Sequence, residues 1–216
     1  MTMNIWLDTL IVLVVLSNLK LLGSSRLVPC IRIVAVQGVV MGLLPFFAGQ
    51  ETITLRMVIV AAVSIGLKGF VFPWLLLRAL RGADIRREVE PFVGYEMSLL
   101  AGVIALAAAM WIGKRLPLPG VHVSSLLVPA ALFTMMVGLF LIVSRKKALT
   151  QVLGYLAIEN GIYAIGMVLA QEQPLLIEMG ILLDAFVAVF VMGITLFRIS
   201  REFDNIDTEQ MATLKD

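Results

Sequence analysis

Three ionisable side chains fall inside long apolar segments of the sequence, at Lys68, Glu159 and Asp184. A charge at the centre of a bilayer costs about 2.5–3.5 kcal/mol on insertion scales, so such groups usually face other helices or water and serve a function. Low dielectric raises the pKa of a carboxyl group and lowers that of an amine, which lets both exchange protons near neutral pH. The three residues therefore predict proton transfer within a membrane.

Polar residues that flank Glu159 are expected to support it by hydrogen bonding. Gln37 is a candidate for bridging a proton path through water, although a helix-to-helix hydrogen bond is the more common role of such a residue. An alternative is that each carboxylate is a hydrogen-bonded packing group. For Lys68 the alternative is a side chain that extends to the membrane surface, but its depth exceeds the easy reach of its stem. Pro73 is expected to kink the helix that carries Lys68. The supporting residues are Gln37, Tyr155, Asn160 and Tyr163.

The composition is that of a membrane protein: 60% of the 216 residues are apolar, 15% are charged, and the mean hydropathy is +1.00. A soluble domain is about 45–50% apolar and about 25% charged. A single cysteine excludes an internal disulfide and an iron–sulfur cluster held by this chain alone. A single histidine excludes a bis-histidine haem. We therefore expect no cofactor and no metal site in this chain, and no catalysis by the chain itself.

Apolar segments long enough to span a bilayer predict an all-α integral membrane protein with seven transmembrane helices. Short polar or glycine- and proline-containing stretches separate the segments. The predicted spans are residues 5–22, 28–48, 54–78, 95–113, 123–143, 148–170 and 175–197.

Basic residues predict the orientation, because cytoplasmic loops collect lysine and arginine. Loops one–two, three–four and five–six and the C-terminus, with the adjoining helix ends, hold 13 basic residues, whereas the opposite side holds three. The N-terminus is thus predicted outside and the C-terminus in the cytoplasm. The three on the opposite side are Arg56, Lys114 and Arg115.

Four regions follow from the spans. They are a three-helix bundle with its cytoplasmic loop at 1–94, a connecting fourth helix at 95–121, a three-helix bundle at 122–200 and a cytoplasmic tail at 201–216. The tail is either a frayed end or an interfacial segment that docks a soluble partner. A shift of 122 residues superposes Gln37 on Glu159 and is consistent with a parallel three-helix repeat, although the sequence identity between the halves is close to chance.

Two motifs carry a family resemblance. The sixth span contains Gly154-Tyr155-x3-Glu159-Asn160-Gly161, and the seventh contains Glu178-x-Gly180-Ile181-x2-Asp184-Ala185. Together with Lys68-x4-Pro73, the length and the final Leu214-Lys215, they resemble component E of hydrogenase-4 (formate hydrogenlyase-type, group 4 nickel–iron) complexes. The resemblance covers essentially the whole chain.

The resemblance implies a fold and a role. The last three spans are similar to the K-type subunit of respiratory complex I and to the C subunit of multi-subunit sodium/proton antiporters. In the K-type subunit two intramembrane carboxylates lie on the proton path, and the matching positions here are Glu159 and Asp184. Asp184 replaces a glutamate and is one methylene shorter. The nickel–iron and iron–sulfur centres would belong to cytoplasmic partner subunits.

The resulting hypothesis is a non-catalytic subunit of a proton-translocating oxidoreductase in a bacterial or archaeal cytoplasmic membrane. It would join cytoplasmic hydrogenase and iron–sulfur subunits to antiporter-like and anchor membrane subunits, with Glu159, Asp184 and Lys68 on the proton path. The alternatives are a subunit of a sodium/proton antiporter without a redox arm, and a purely structural membrane spacer.

Overall fold

Helices form nearly all of the structure, a computed structural model that describes residues 2–47, 55–82, 92–116 and 124–169 and the single residue Gly180. Within these ranges the chain forms seven α-helices and one π-helical segment, and no strand. They are α1 (Thr2–Gly23), α2 (Leu27–Phe47), α3 (Leu55–Ile65), the π segment (Gly66–Val71), α4 (Phe72–Gly82), α5 (Tyr95–Gly113), α6 (Leu127–Ser144) and α7 (Ala148–Leu169).

Five stretches of the described helices are long and apolar enough to cross a membrane. A helix satisfies most of its backbone polar groups internally, as a bilayer requires. The stretch on the third span runs through the π segment. The five are Ile5–Gly23, Leu27–Phe47, Ala61–Arg78, Tyr95–Gly113 and Leu127–Ser144.

Helix α7 coincides with the predicted sixth span and has 22 residues, the length of a membrane crossing. It is not one of the five apolar stretches, and it carries the polar residues Gln151, Glu159 and Asn160. The predicted seventh span, with Asp184, and the predicted tail lie outside the described residues. The orientation, the four regions and the parallel repeat stay predictions.

The third span is not one regular helix. Residues Gly66–Val71 form a π-helical turn between α3 and α4, and Pro73 follows in the first turn of α4. Proline lacks the N–H that a regular helix needs, and its ring crowds the preceding turn. The widened turn therefore lies where the sequence predicts a kink, and the helix continues past residue 78 to Gly82.

Glycines bring α6 and α7 into close contact. A methyl group on Gly138 would overlap the backbone carbonyl of Gly154, and one on Gly154 would lie 2.7 Å from the carbonyl oxygen of Gly138. On the next turns of α7, Gly161 packs in the same way against Ala131 and Met135 of α6. Small residues at a helix interface allow such backbone approach in membranes.

Arg145, directly after α6, joins three helix ends. Its side chain is 1% exposed; Nη2 donates to the carbonyl of Leu22 at 2.9 Å and to Ser98 Oγ at 3.4 Å, and Nη1 donates to the carbonyl of Val93 at 3.4 Å. The guanidinium also lies 5.3 Å from the centre of the Tyr95 ring. Burial lowers the pKa of Arg145 from its ordinary value. These contacts connect the C-terminus of α1 to the start of α5.

Replacing Gly138 by alanine is expected to lower the thermal stability of the purified protein. The added methyl group meets backbone atoms of α7, which cannot move as a side chain can, and overpacking of this kind typically costs about 1–3 kcal/mol. The matched control is Gly166→Ala, because a methyl group there meets no atom within 4 Å. Melting in detergent, followed by size-exclusion chromatography, compares the two. Equal midpoints would contradict the close α6–α7 contact.

Candidate functional site

Lys68 lies in the π segment and is buried between helices. Its side chain is 4% exposed. Nζ donates to Asn160 Oδ1 of α7 at 3.4 Å and lies 5.3 Å from the centre of the Tyr163 ring, also on α7. A desolvated ammonium over an aromatic ring gains electrostatic attraction from the ring face. Lys68 therefore points into the bundle, as predicted from its depth, and not toward a membrane surface.

The backbone of α2 makes room for Lys68 at Gly38. A methyl group on Gly38 would lie 2.5 Å from Lys68 Cβ and 3.1 Å from the Lys68 carbonyl carbon. One residue farther along, a methyl group on Gly69 would lie 2.7 Å from a methyl carbon of Val39. The π segment and α2 thus pack backbone against backbone at the level of Lys68. The Gly38-x-x-x-Gly42 spacing on α2 supports this approach, since Gly42 lies close to the Ile65 side chain of α3.

Glu159 precedes Asn160 on α7 and is 3% exposed. Neither of its carboxyl oxygens accepts a hydrogen bond from a described residue, and the same part of the chain provides no acceptor for Asn160 Nδ2. Buried polar atoms of this kind are normally satisfied by protein or by water. The Glu159 oxygens are therefore available to a proton, to water or to another donor. We call Lys68, Glu159, Asn160 and Tyr163 the Lys68 cluster.

A second buried polar group links α1, α2 and α6. Gln37 Nε2 donates to Ser17 Oγ at 2.8 Å and to Asn18 Oδ1 at 2.9 Å. Asn18 Nδ2 in turn donates to Thr134 Oγ1 at 2.7 Å. We call Ser17, Asn18, Gln37 and Thr134 the Gln37 chain.

Of the Gln37 chain, the sequence predicts only Gln37. Charged residues stand out in an apolar segment of the sequence. Serine, threonine and asparagine are common at helix interfaces in membranes and therefore do not stand out. The one signal in the sequence is the adjacent polar pair Ser17 and Asn18, which follows a long apolar run in α1.

The other predicted site residues do not join the Lys68 cluster. Tyr155 is 36% exposed, and its hydroxyl gives no hydrogen bond to Glu159. Asp184 lies outside the described residues. Within the described ranges, no group of three or more histidine, cysteine, aspartate or glutamate residues is arranged to hold a metal ion.

Comparisons with known proteins relate the C-terminal part of the chain to a subunit of NADH-quinone oxidoreductases. Residues 125–216 match the family of NADH-ubiquinone/plastoquinone oxidoreductase chain 4L. The uncharacterized protein Rv0085 of Mycobacterium tuberculosis is 32% identical over 205 residues, which are 94% of this chain and 92% of the relative. No solved structure matches the chain.

Hydrogenase-4 component E of Escherichia coli (strain K12) is 34% identical over 119 residues, and so is that of Shigella flexneri. The alignment covers 55% of this chain and 55% of either relative. The apolar helices and these matches indicate a multi-pass membrane protein. The chain belongs to the same family as Rv0085, its C-terminal part is similar to chain 4L, and about half of it is similar to hydrogenase-4 component E.

Lys68 is expected to resist a membrane-permeant, amine-reactive reagent in the folded protein, because its side chain is 4% exposed. Lys20 and Lys114, both exposed, are the internal controls. Mass spectrometry of peptides would show modification of the controls in native membranes and of Lys68 only after denaturation. Equal modification of Lys68 and Lys114 in the folded state would contradict the site.

Proposed function

We propose that this protein is a membrane subunit of a hydrogenase or related complex I-like oxidoreductase, and that the Lys68 cluster lies on its proton path. One observation carries the proposal. An amine from the π segment and a carboxyl group from α7 are both buried in the middle of their helices, and Asn160 contacts Lys68 directly beside Glu159. Burying such groups in a membrane costs free energy, so their presence in these helices points to a function.

The chemistry of the cluster suits proton transfer coupled to movement. Glu159 offers two buried oxygens that no described residue satisfies, so the described part of the chain supplies no fixed donor that would hold its carboxyl group in one charge state. Lys68 supplies a positive charge on a neighbouring helix, and opposite charges favour each other strongly in a medium of low dielectric. A small displacement of the π segment relative to α7 would change that interaction, and with it the affinity of Glu159 for a proton.

The rest of the proposal follows from the family. The C-terminal part matches chain 4L, and hydrogenase-4 component E is similar over half of the chain. We place Asp184 as a second carboxyl group on the path, the nickel–iron and iron–sulfur centres in cytoplasmic partner subunits, and antiporter-like subunits beside this one in the membrane. The membrane is then the cytoplasmic membrane of a bacterium or archaeon.

Glu159→Gln is expected to abolish most proton translocation by the intact complex while electron transfer continues. Glutamine keeps the size of the side chain and removes the titratable group. Proton uptake per electron transferred, measured in inverted membrane vesicles, is the readout.

The matched control is Glu96→Gln, the same substitution at an exposed position in the first turn of α5. It is expected to pump like the unmodified complex. Full coupling in the Glu159→Gln complex, at normal assembly, would refute the role of Glu159.

A further inference from the structure

The hydrogen-bond directions in the Gln37 chain follow from Thr134. Its hydroxyl donates its one hydrogen to the backbone carbonyl of Ala130 at 2.7 Å. The oxygen of that hydroxyl can then only accept, so the Asn18 atom at 2.7 Å must be the amide nitrogen. The amide orientation of Asn18 in the structure is the one that agrees with this position of the hydroxyl hydrogen.

The same reasoning orients Gln37. Since the amide nitrogen of Asn18 faces Thr134, its oxygen faces Gln37 and must receive a hydrogen from Gln37 Nε2. The second hydrogen of Nε2 goes to Ser17 Oγ, whose own hydrogen is donated to the carbonyl of Val14 at 2.7 Å. Both amide hydrogens of Gln37 are therefore used on the α1 side.

The carbonyl oxygen of Gln37 is left as a buried acceptor that no described residue satisfies. Its neighbour Gly38 contacts Lys68, and α2 packs against the π segment and α7 as well as against α1. Because α1 takes the nitrogen side of the amide, the carbonyl oxygen remains for a partner outside α1, and α2 also packs against the elements that carry the Lys68 cluster. In that cluster Asn160 Nδ2 is a buried donor for which the described residues provide no acceptor.

We propose that Gln37 is a positioning residue for the Lys68 cluster. Held in one orientation by Thr134 through Asn18, its carbonyl oxygen accepts a hydrogen bond from a water molecule that in turn accepts a hydrogen from that cluster. This inference rests on the proposed function and adds Thr134 and Asn18 to the residues on which proton transfer depends. If the Gln37 side-chain amide were flipped, its N–H hydrogens would face the cluster, and Gln37 would offer the cluster a donor in place of an acceptor.

Two substitutions at Thr134 separate orientation from packing. Valine nearly matches the shape of threonine but has no hydroxyl, whereas serine keeps the hydroxyl and loses a methyl group. If the hydroxyl orients Asn18 and Gln37, Thr134→Val should lose proton translocation per electron, and Thr134→Ser should retain it. If Thr134 only fills space, valine should be the better-tolerated replacement.

The experiment uses the intact complex in membrane vesicles, with the amount of assembled complex measured in parallel. Thr150→Val is the matched control: Thr150 is also buried, and its hydroxyl donates to the carbonyl of Lys147 outside the Gln37 chain. This control should pump normally. Gln37→Met should lose coupling as Thr134→Val does, and the double variant should lose no more than either single variant.

Glu159→Gln in the same series distinguishes a failure of the proposed function from a failure of the role of the Gln37 chain. Loss of coupling in Glu159→Gln, with normal coupling in Thr134→Val, overturns the role of the Gln37 chain and leaves the proposed function standing. Loss in Thr134→Ser equal to that in Thr134→Val also overturns it. Loss of coupling in Thr134→Val, with coupling retained in Thr134→Ser, supports the role of the Gln37 chain. Normal coupling in Glu159→Gln counts against the proposed function.

Discussion

Polar groups inside a membrane bundle must be satisfied by other protein groups or by enclosed water, because lipid offers no hydrogen bonds. This constraint distinguishes the Gln37 chain from the Lys68 cluster. In the Gln37 chain the donated hydrogens all reach acceptors, and one oxygen is left over. In the Lys68 cluster both Glu159 oxygens and the Asn160 amide nitrogen lack partners among the described residues. The first arrangement is nearly complete in hydrogen bonds, whereas in the second the described residues leave three buried polar atoms unsatisfied.

Backbone packing determines where the Lys68 cluster can form. Lys68 approaches α7 from a π turn that replaces a regular helix directly before Pro73, and π turns of this kind are frequent at functional sites. On the other side, Gly38 lets α2 lie against Lys68 without a clash. The glycines between α6 and α7 hold α7, and so Glu159 and Asn160, at a short distance from α6. The glycines at these contacts thus determine where Lys68 and Glu159 lie.

The sequence predicts the buried charges well and their partners less well. Lys68 and Glu159 stand out because one ionisable residue in a long apolar segment is costly, and the structure buries both. The predicted neighbours Asn160 and Tyr163 contact Lys68, not Glu159. The pairing of Asn18 with Thr134 could not be predicted, since it depends on the rotation of α1 and α6 about their axes. Arg145 is one of the 13 basic residues that predict the orientation. The sequence does not predict that its side chain is buried among three helix ends.

We propose that this chain works inside a redox-driven membrane complex. The most direct test is to tag the protein, extract it in mild detergent, and identify the accompanying proteins and metals by mass spectrometry and elemental analysis. The account predicts cytoplasmic redox subunits with nickel and iron, together with antiporter-like membrane subunits. Recovery of antiporter-like proteins without any metal, or of this chain alone from an intact membrane extract, would contradict it.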